Sequence, residues 1–174
     1  MVRRGGATMP SMSSRFEVTR TIPANPSAIF EVLCDPQGHV AIDSSGMLMS
    51  ASGPPVKAVG DGFEVKMHRE ALNDLPLGRY DVTVRITELE PDAAIAWTVE
   101  SPIIDVPTNH FYGYRLRPVE GGTEVTAWYD WSQVNPIWID RELPGMGRVH
   151  WPVVPEASLR ATLGILERTV VNKG

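Results

Sequence analysis

Two hydrophobic periods divide this chain. From Ser158 onward the apolar residues Leu159, Leu163, Leu166 and Val170 step by four, three and four, which keeps them on one face of a helix. That spacing predicts a long amphipathic helix over residues 155–171, about 25 Å at 1.5 Å per residue. Ahead of it the period drops to two, and alternation predicts strands at residues 16–22, 47–51, 62–70, 79–89, 94–101, 111–118 and 123–132. Between the first two strands, Asn25 followed by Pro26 reads as a helix start, with Ile29, Phe30 and Leu33 on one face. Asp35-Pro36 ends that helix, because a residue before proline avoids helical geometry. A short second helix is predicted from Gln37 to about Asp43.

The breaks between the later strands are turn-like and short, at Ser52-Gly53-Pro54-Pro55, Asp74 to Gly78, Glu90-Pro91-Asp92 and Glu120-Gly121-Gly122. Short connections join antiparallel neighbours, so the prediction is an α+β fold. A seven-stranded curved antiparallel sheet wraps on one long C-terminal helix, with two short helices after the first strand. Residues 101–107 and 133–155 are proline-rich exceptions, and connections of that length read as the rim or lid of a site. Residues 15–174 form a single domain, and residues 1–14 read as a disordered leader.

Strand parity then sorts side chains into two faces. On the last strand Val125, Ala127, Tyr129 and Trp131 share the face predicted to look at the long helix, while Glu124, Thr126, Trp128 and Asp130 share the other. The same rule turns Tyr80, Val82, Val84 and Ile86 inward, then Ile95, Trp97 and Val99, then Tyr112, Tyr114 and Leu116. On the third strand Phe63, Val65, Met67 and Arg69 share a face, leaving His68 toward solvent. The predicted interior is therefore rich in rings with polar handles. Met67, Arg69, Tyr80, Trp97, Tyr112, Tyr114, Tyr129 and Trp131 are the candidate ligand-binding residues. Buried tyrosine hydroxyls need partners. Two readings stay open: the rings fill the core, or they line a cavity.

Composition narrows the partner. The net charge is 16 − 21 = −5, with a pI near 5.4, so the basic field that nucleic acid binding requires is missing. No run of about 20 apolar residues is present, so no transmembrane helix is predicted and the expected location is the cytoplasm. The one cysteine, Cys34, reads as a small apolar residue on the buried face of its helix. No HExxH or comparable cluster of ligands occurs, so neither a metal nor another cofactor is expected.

Four stretches carry a family resemblance. They are Asn25-Pro26-Ser27-Ala28-Ile29-Phe30-Glu31-Val32-Leu33, Val59-Gly60-Asp61-Gly62-Phe63 with Ile95-Ala96-Trp97, and Gly121-Gly122-Thr123-Glu124-Val125-Thr126. With the order strand, two helices, six strands, long helix, the chain resembles the START-like (SRPBCC) superfamily over residues 15–172. That resemblance implies the helix-grip fold and a small hydrophobic ligand, such as a lipid, polyketide or other polycyclic, held between sheet and terminal helix. Relatives of this kind include carriers, polyketide cyclases and dehydrases, and domains whose groove takes a protein partner.

Chemistry is thinner than architecture. Arg69 on an otherwise apolar face must be paired, because a lone buried guanidinium is prohibitive. It either grips a ligand carboxylate or polarises a carbonyl, or pairs near the strand end with Glu70, Asp74 or a rim carboxylate. His39 and Asp43 are four apart on the short second helix and so share a face, where an Asp-oriented imidazole is a candidate general base. The same spacing also suits an ordinary surface pair. His110 and His150 are assigned no role. The leading expectation is a binding protein, monomer or homodimer, with a cyclase or dehydrase using His39, Asp43 or Arg69 as the alternative.

Overall fold

The structure, a computed structural model, describes residues 13–102, 105–139, 141–143 and 147–173. Its elements in order are β1 (Arg15–Ile22), α1 (Pro26–Cys34), α2 (Pro36–Ile42), β2 (Leu48–Ser52), β3 (Gly62–His68), β4 (Arg79–Glu90), β5 (Ala94–Glu100), β6 (Phe111–Val119), β7 (Gly122–Asp130) and α3 (Glu156–Val171). The seven strands form one antiparallel sheet in the order β1-β7-β6-β5-β4-β3-β2. The chain is thus a meander from β2 to β7, with β1 added at the far edge. This is the helix-grip arrangement expected from the pattern. The expected leader, residues 1–14, falls almost wholly outside the described residues.

Local chemistry sets the two short helices. The Asn25 side chain accepts from the Ala28 N–H at 2.9 Å, and Pro26 opens α1 with its φ already fixed. Asp35 does double duty: its extended backbone ends α1, and its carboxylate accepts from the Gln37 N–H at 3.0 Å to start α2. The core lies between α3 and the concave face of the sheet. Leu159, Leu163, Leu166 and Val170 are the buried residues of α3, as the four-three-four spacing requires. The helix packs mainly on β1 and β7, with α1 and α2 against its other flank.

Three expectations need correction. The third strand stops at His68, and Arg69–Leu72 make one 3-10 turn capped by Asn73 in the left-handed region at φ 51°. The last strand stops at Asp130, whose carboxylate accepts from the Ser132 N–H at 2.8 Å and folds the chain away from the sheet. The segment 133–155, expected as an irregular loop, holds a 3-10 turn at Pro136–Trp138 and a small hairpin, β8 (Glu142–Leu143) with β9 (Gly147–Arg148).

Trp128 is on the outer face as parity predicted, yet it is buried. It lies opposite Gly113 in the β6–β7 register, and a Cβ at Gly113 would run into the indole. The Arg15 guanidinium covers the other side of the ring at 4.3 Å. A glycine in a strand interior thus makes room for a neighbour's ring.

Candidate functional site

The C-terminal half of α3 packs solidly on the sheet, but its first turns do not. There the fold leaves a cavity of about 170 Å³, walled by sheet residues such as Val65, Val82, Val84 and Ala127, by α2 with the loop after it, and by Leu159 of α3. The wall is predominantly apolar. Ser44 ties the loop to the helix, its hydroxyl donating to the Ser158 carbonyl at 2.8 Å while Thr162 donates to Ser44 Oγ at 2.9 Å.

Of the sequence-predicted ligand residues, Met67, Trp97, Tyr112 and Tyr114 border this cavity, and so do His39 and Asp43. Trp97 forms the floor, with His39 edge-on at 4.9 Å, Tyr112 stacked at 5.8 Å and Tyr114 tilted at 5.8 Å. Tyr129 and Trp131 lie beyond the wall. They continue a packed row of rings, Tyr112 to Tyr129 at 4.6 Å, Tyr129 to Trp131 at 5.4 Å and Trp131 to Phe16 at 4.7 Å. Tyr80 and Arg69 also stand outside the lining.

Arg69 is buried and fully engaged. Its Nε and Nη2 donate to the two Asp74 oxygens at 2.8 and 2.7 Å, and Nη2 also donates to the Val153 carbonyl at 3.1 Å. Burial alone disfavours the guanidinium charge, but the Asp74 contacts outweigh it and hold the cation firmly. Arg69 in turn keeps the Asp74 carboxyl below the usual carboxylate range. The bidentate pair holds the guanidinium in place, and its bond to the Val153 carbonyl fastens the segment leading into α3 to the far end of β3. Of the two readings open for Arg69, the geometry forms the ion pair with Asp74.

His39 and Asp43 share a face, but each spends its hydrogen bonds elsewhere. His39 Nε2 donates to the Leu33 carbonyl at 2.8 Å. The Asp43 carboxylate accepts from the Ser45 N–H and hydroxyl at 2.9 and 2.6 Å and from the Leu48 N–H at 3.1 Å, shaping the loop into β2. Burial pushes the imidazole down to about 4, against weaker opposing pulls from the Leu33 carbonyl and Asp35, so the ring is neutral at pH 7. Burial likewise raises the Tyr112, Tyr114 and Tyr129 hydroxyls well above the ordinary phenol range.

His110, which sequence reasoning left without a role, is buried and hydrogen-bonded through Nδ1 to the Tyr129 hydroxyl at 3.0 Å. Its ring is edge-on to Tyr112 at 5.4 Å and to Trp151 at 5.2 Å, and burial drops its pKa to about 4. The signal was available: His110 sits at the same parity as Tyr112, Tyr114 and Leu116, one step before the strand. The two proline-rich segments meet here. The Asn135 N–H donates to the Thr108 carbonyl at 3.0 Å, Trp138 Nε1 to the Val106 carbonyl at 2.8 Å and Trp151 Nε1 to the Trp138 carbonyl at 3.1 Å. Cys34 is buried, its thiol pushed up to about 11 chiefly by desolvation and further by Asp92, so it stays protonated and inert. Among the described residues no group of His, Cys, Asp or Glu converges as a metal site, and no helix is long and apolar enough to cross a membrane.

No protein-family model and no curated protein sequence matches the chain. Solved structures do. Protein CV1439 from Chromobacterium violaceum is 14% identical with a TM-score of 0.61, over 91% of this chain and 98% of that one. An AHSA1-like protein from Aeromonas hydrophila is 16% identical with a TM-score of 0.59, over 92% and 94%. Ara h 8.0201 is 11% identical with a TM-score of 0.55, over 91% and 97%. The chain therefore shares its fold over nearly the whole length of these proteins.

Proposed function

We propose that this protein binds a small, mainly apolar molecule in the cavity between the sheet and the first turns of α3, as START-like carriers do. The observation that carries the reading is the hollow itself: a mainly apolar wall around about 170 Å³, partly open to the outside, beside the first turns of α3. Size selects among ligands. Cavities for drug-sized molecules run from roughly 300 Å³ upward, whereas an apolar hole of about 150 Å³ accepts benzene. One ring or two fused rings suit this volume better than a lipid chain or a multi-ring polyketide. The cyclase or dehydrase alternative drew on His39 with Asp43, or on Arg69. With Asp43 shaping its own loop and Arg69 clamped to Asp74, binding is the better-supported reading.

Burying one aromatic ring of about 200 Å² gains at most roughly 5 kcal/mol at 25 cal/mol per Å², and the cost of association cuts into that, so binding no tighter than about millimolar is expected. A thermal-shift panel of one- and two-ring aromatics at millimolar concentration tests this, beside native mass spectrometry of freshly expressed protein. The expected shift is about 3–6 °C at tenfold excess over Kd. Val99 lines the cavity and is half-buried, so Val99→Trp should plug the hollow and abolish the shift while leaving the fold intact. No co-purified ligand together with no shift across the panel would sink the proposal.

A further inference from the structure

Two polar groups in this apolar hollow have no partner among the described residues. His39 is only 7% exposed. Its Nε2 must carry the ring proton, because the Leu33 carbonyl at 2.8 Å can only accept. On the neutral ring, Nδ1 is then a bare lone pair. No described residue donates to it, and it is reached from the cavity rather than sealed in the core. The Tyr114 hydroxyl, on a residue also 7% exposed, has no hydrogen bond to any described residue and borders the same space. Both rings lie against Trp97, at 4.9 and 5.8 Å, and both residues line the same cavity.

A lone pair and a hydroxyl that open onto an apolar hollow are left without a protein partner there, and a ligand that satisfies both gains over one that cannot. A hydroxyl group does so, since it offers one proton and accepts another. Charge sharpens the choice. Asp43 is the one carboxylate among the described lining residues, and no Lys or Arg lines the space, because Arg69 is spent on Asp74 and Val153. An anionic ligand would be repelled without compensation.

Resting on the binding reading above, we infer that the cavity selects an uncharged one- or two-ring molecule with a free hydroxyl, which donates to His39 Nδ1 and accepts from Tyr114 O–H. His39 and Tyr114 are then the residues that set specificity. The apolar wall supplies affinity, and the pair decides which greasy molecule is kept.

The isomers p-cresol and anisole test this on the unmodified protein, with toluene and benzoate as references and calorimetric titration as the readout. In a site without polar partners the ether binds tighter, because an unpaired hydroxyl forfeits its water. Here p-cresol should bind roughly fivefold to tenfold tighter than anisole, and benzoate should not bind. Tyr114→Phe removes a hydroxyl with no partner among the described residues, so the fold is kept. It should weaken p-cresol by about threefold to tenfold and leave toluene unchanged. Anisole binding as well as p-cresol, benzoate matching it, or Tyr114→Phe leaving p-cresol unaffected would each overturn the inference while toluene binding preserves the cavity reading. If none of the four binds, both fail.

Discussion

Unfolding free energy should fall by on the order of 5 kcal/mol between pH 6.5 and pH 4, with most of the loss complete before any carboxylate titrates. The cause is the two buried histidines. An unfolded histidine binds a proton near pH 6.5, but His39 and His110, each 7% exposed, wait until about pH 4. Over that interval the unfolded chain holds more protons than the folded one, so stability rises with pH, by up to about 1.4 kcal/mol per pH unit for each ring. Each ring therefore forfeits on the order of 3 kcal/mol by pH 4, a large share of the roughly 5–15 kcal/mol that holds a domain together. Asp74 and Asp130 act in a different window. Their folded pKa values lie below the usual range, so their contribution is present above about pH 4 and is lost only below it. Urea unfolding followed by tryptophan fluorescence at pH 7, 6, 5 and 4.5 reads the slope directly. His110→Gln should remove about half of it whatever the variant does to absolute stability. A free energy flat from pH 7 to pH 5 would contradict the buried neutral rings.

The acid limb also bears on binding. The acceptor at His39 Nδ1 exists only while the ring is neutral, so in the folded protein the proposed hydroxyl contact is lost only near pH 4, after most of the loss in stability. A titration of ligand affinity against pH should therefore stay flat until about pH 4, while stability already falls from about pH 6.5 downward. The cavity needs His39 buried, and burial is what makes His39 sensitive to acid.

How much of this was legible in the sequence differs by element. The four-three-four spacing of α3 and the parity of β4 to β7 are local periodicities, and the long helix, the strand order and the inward rings follow from them. Parity fails where a strand ends early. Arg69 keeps the inward position by count, but a 3-10 turn begins at that residue, so its direction is set by Asp74 and Val153 instead. Spacing of four put His39 and Asp43 on one face correctly, yet the Asp-Ser-Ser-Gly run after α2 is also an Asx-turn signal, and the turn won the carboxylate. Tyr129 and Tyr114 have the same parity and differ only in what long-range packing brings against them. Tyr129 meets His110 and Trp131, whereas Tyr114 meets open space. The His110 partnership depends on the strap through Trp138 and Trp151, whose proline-rich sequence has no period to read.

The Gly-Gly-Thr run at the start of β7 explains its own composition, and it yields the largest single-residue effect expected in this chain. The β6–β7 turn must tuck under the end of β1, where Ile22 is fully buried and pairs with Thr123. Gly121 has φ 85° with nothing near its missing side chain, whereas Gly122 has φ 151° and its missing Cβ would collide with the Ile22 carbonyl. Thr123, 0% exposed, then donates through Oγ1 to the Ala24 carbonyl at 2.8 Å and fixes the corner into α1. Alanine at 121 meets only backbone strain, about 1–3 kcal/mol. Alanine at 122 adds to that strain a clash with a backbone carbonyl that cannot retreat without breaking the β1–β7 register, for a total of about 3–5 kcal/mol. Urea midpoints for Gly121→Ala and Gly122→Ala, measured side by side at pH 7, separate the two causes. Gly122→Ala should be the less stable by at least about 1 kcal/mol and should loosen the β1 edge first in hydrogen exchange. Equal midpoints would mean that conformational freedom alone, and not the close approach of β1, requires the second glycine.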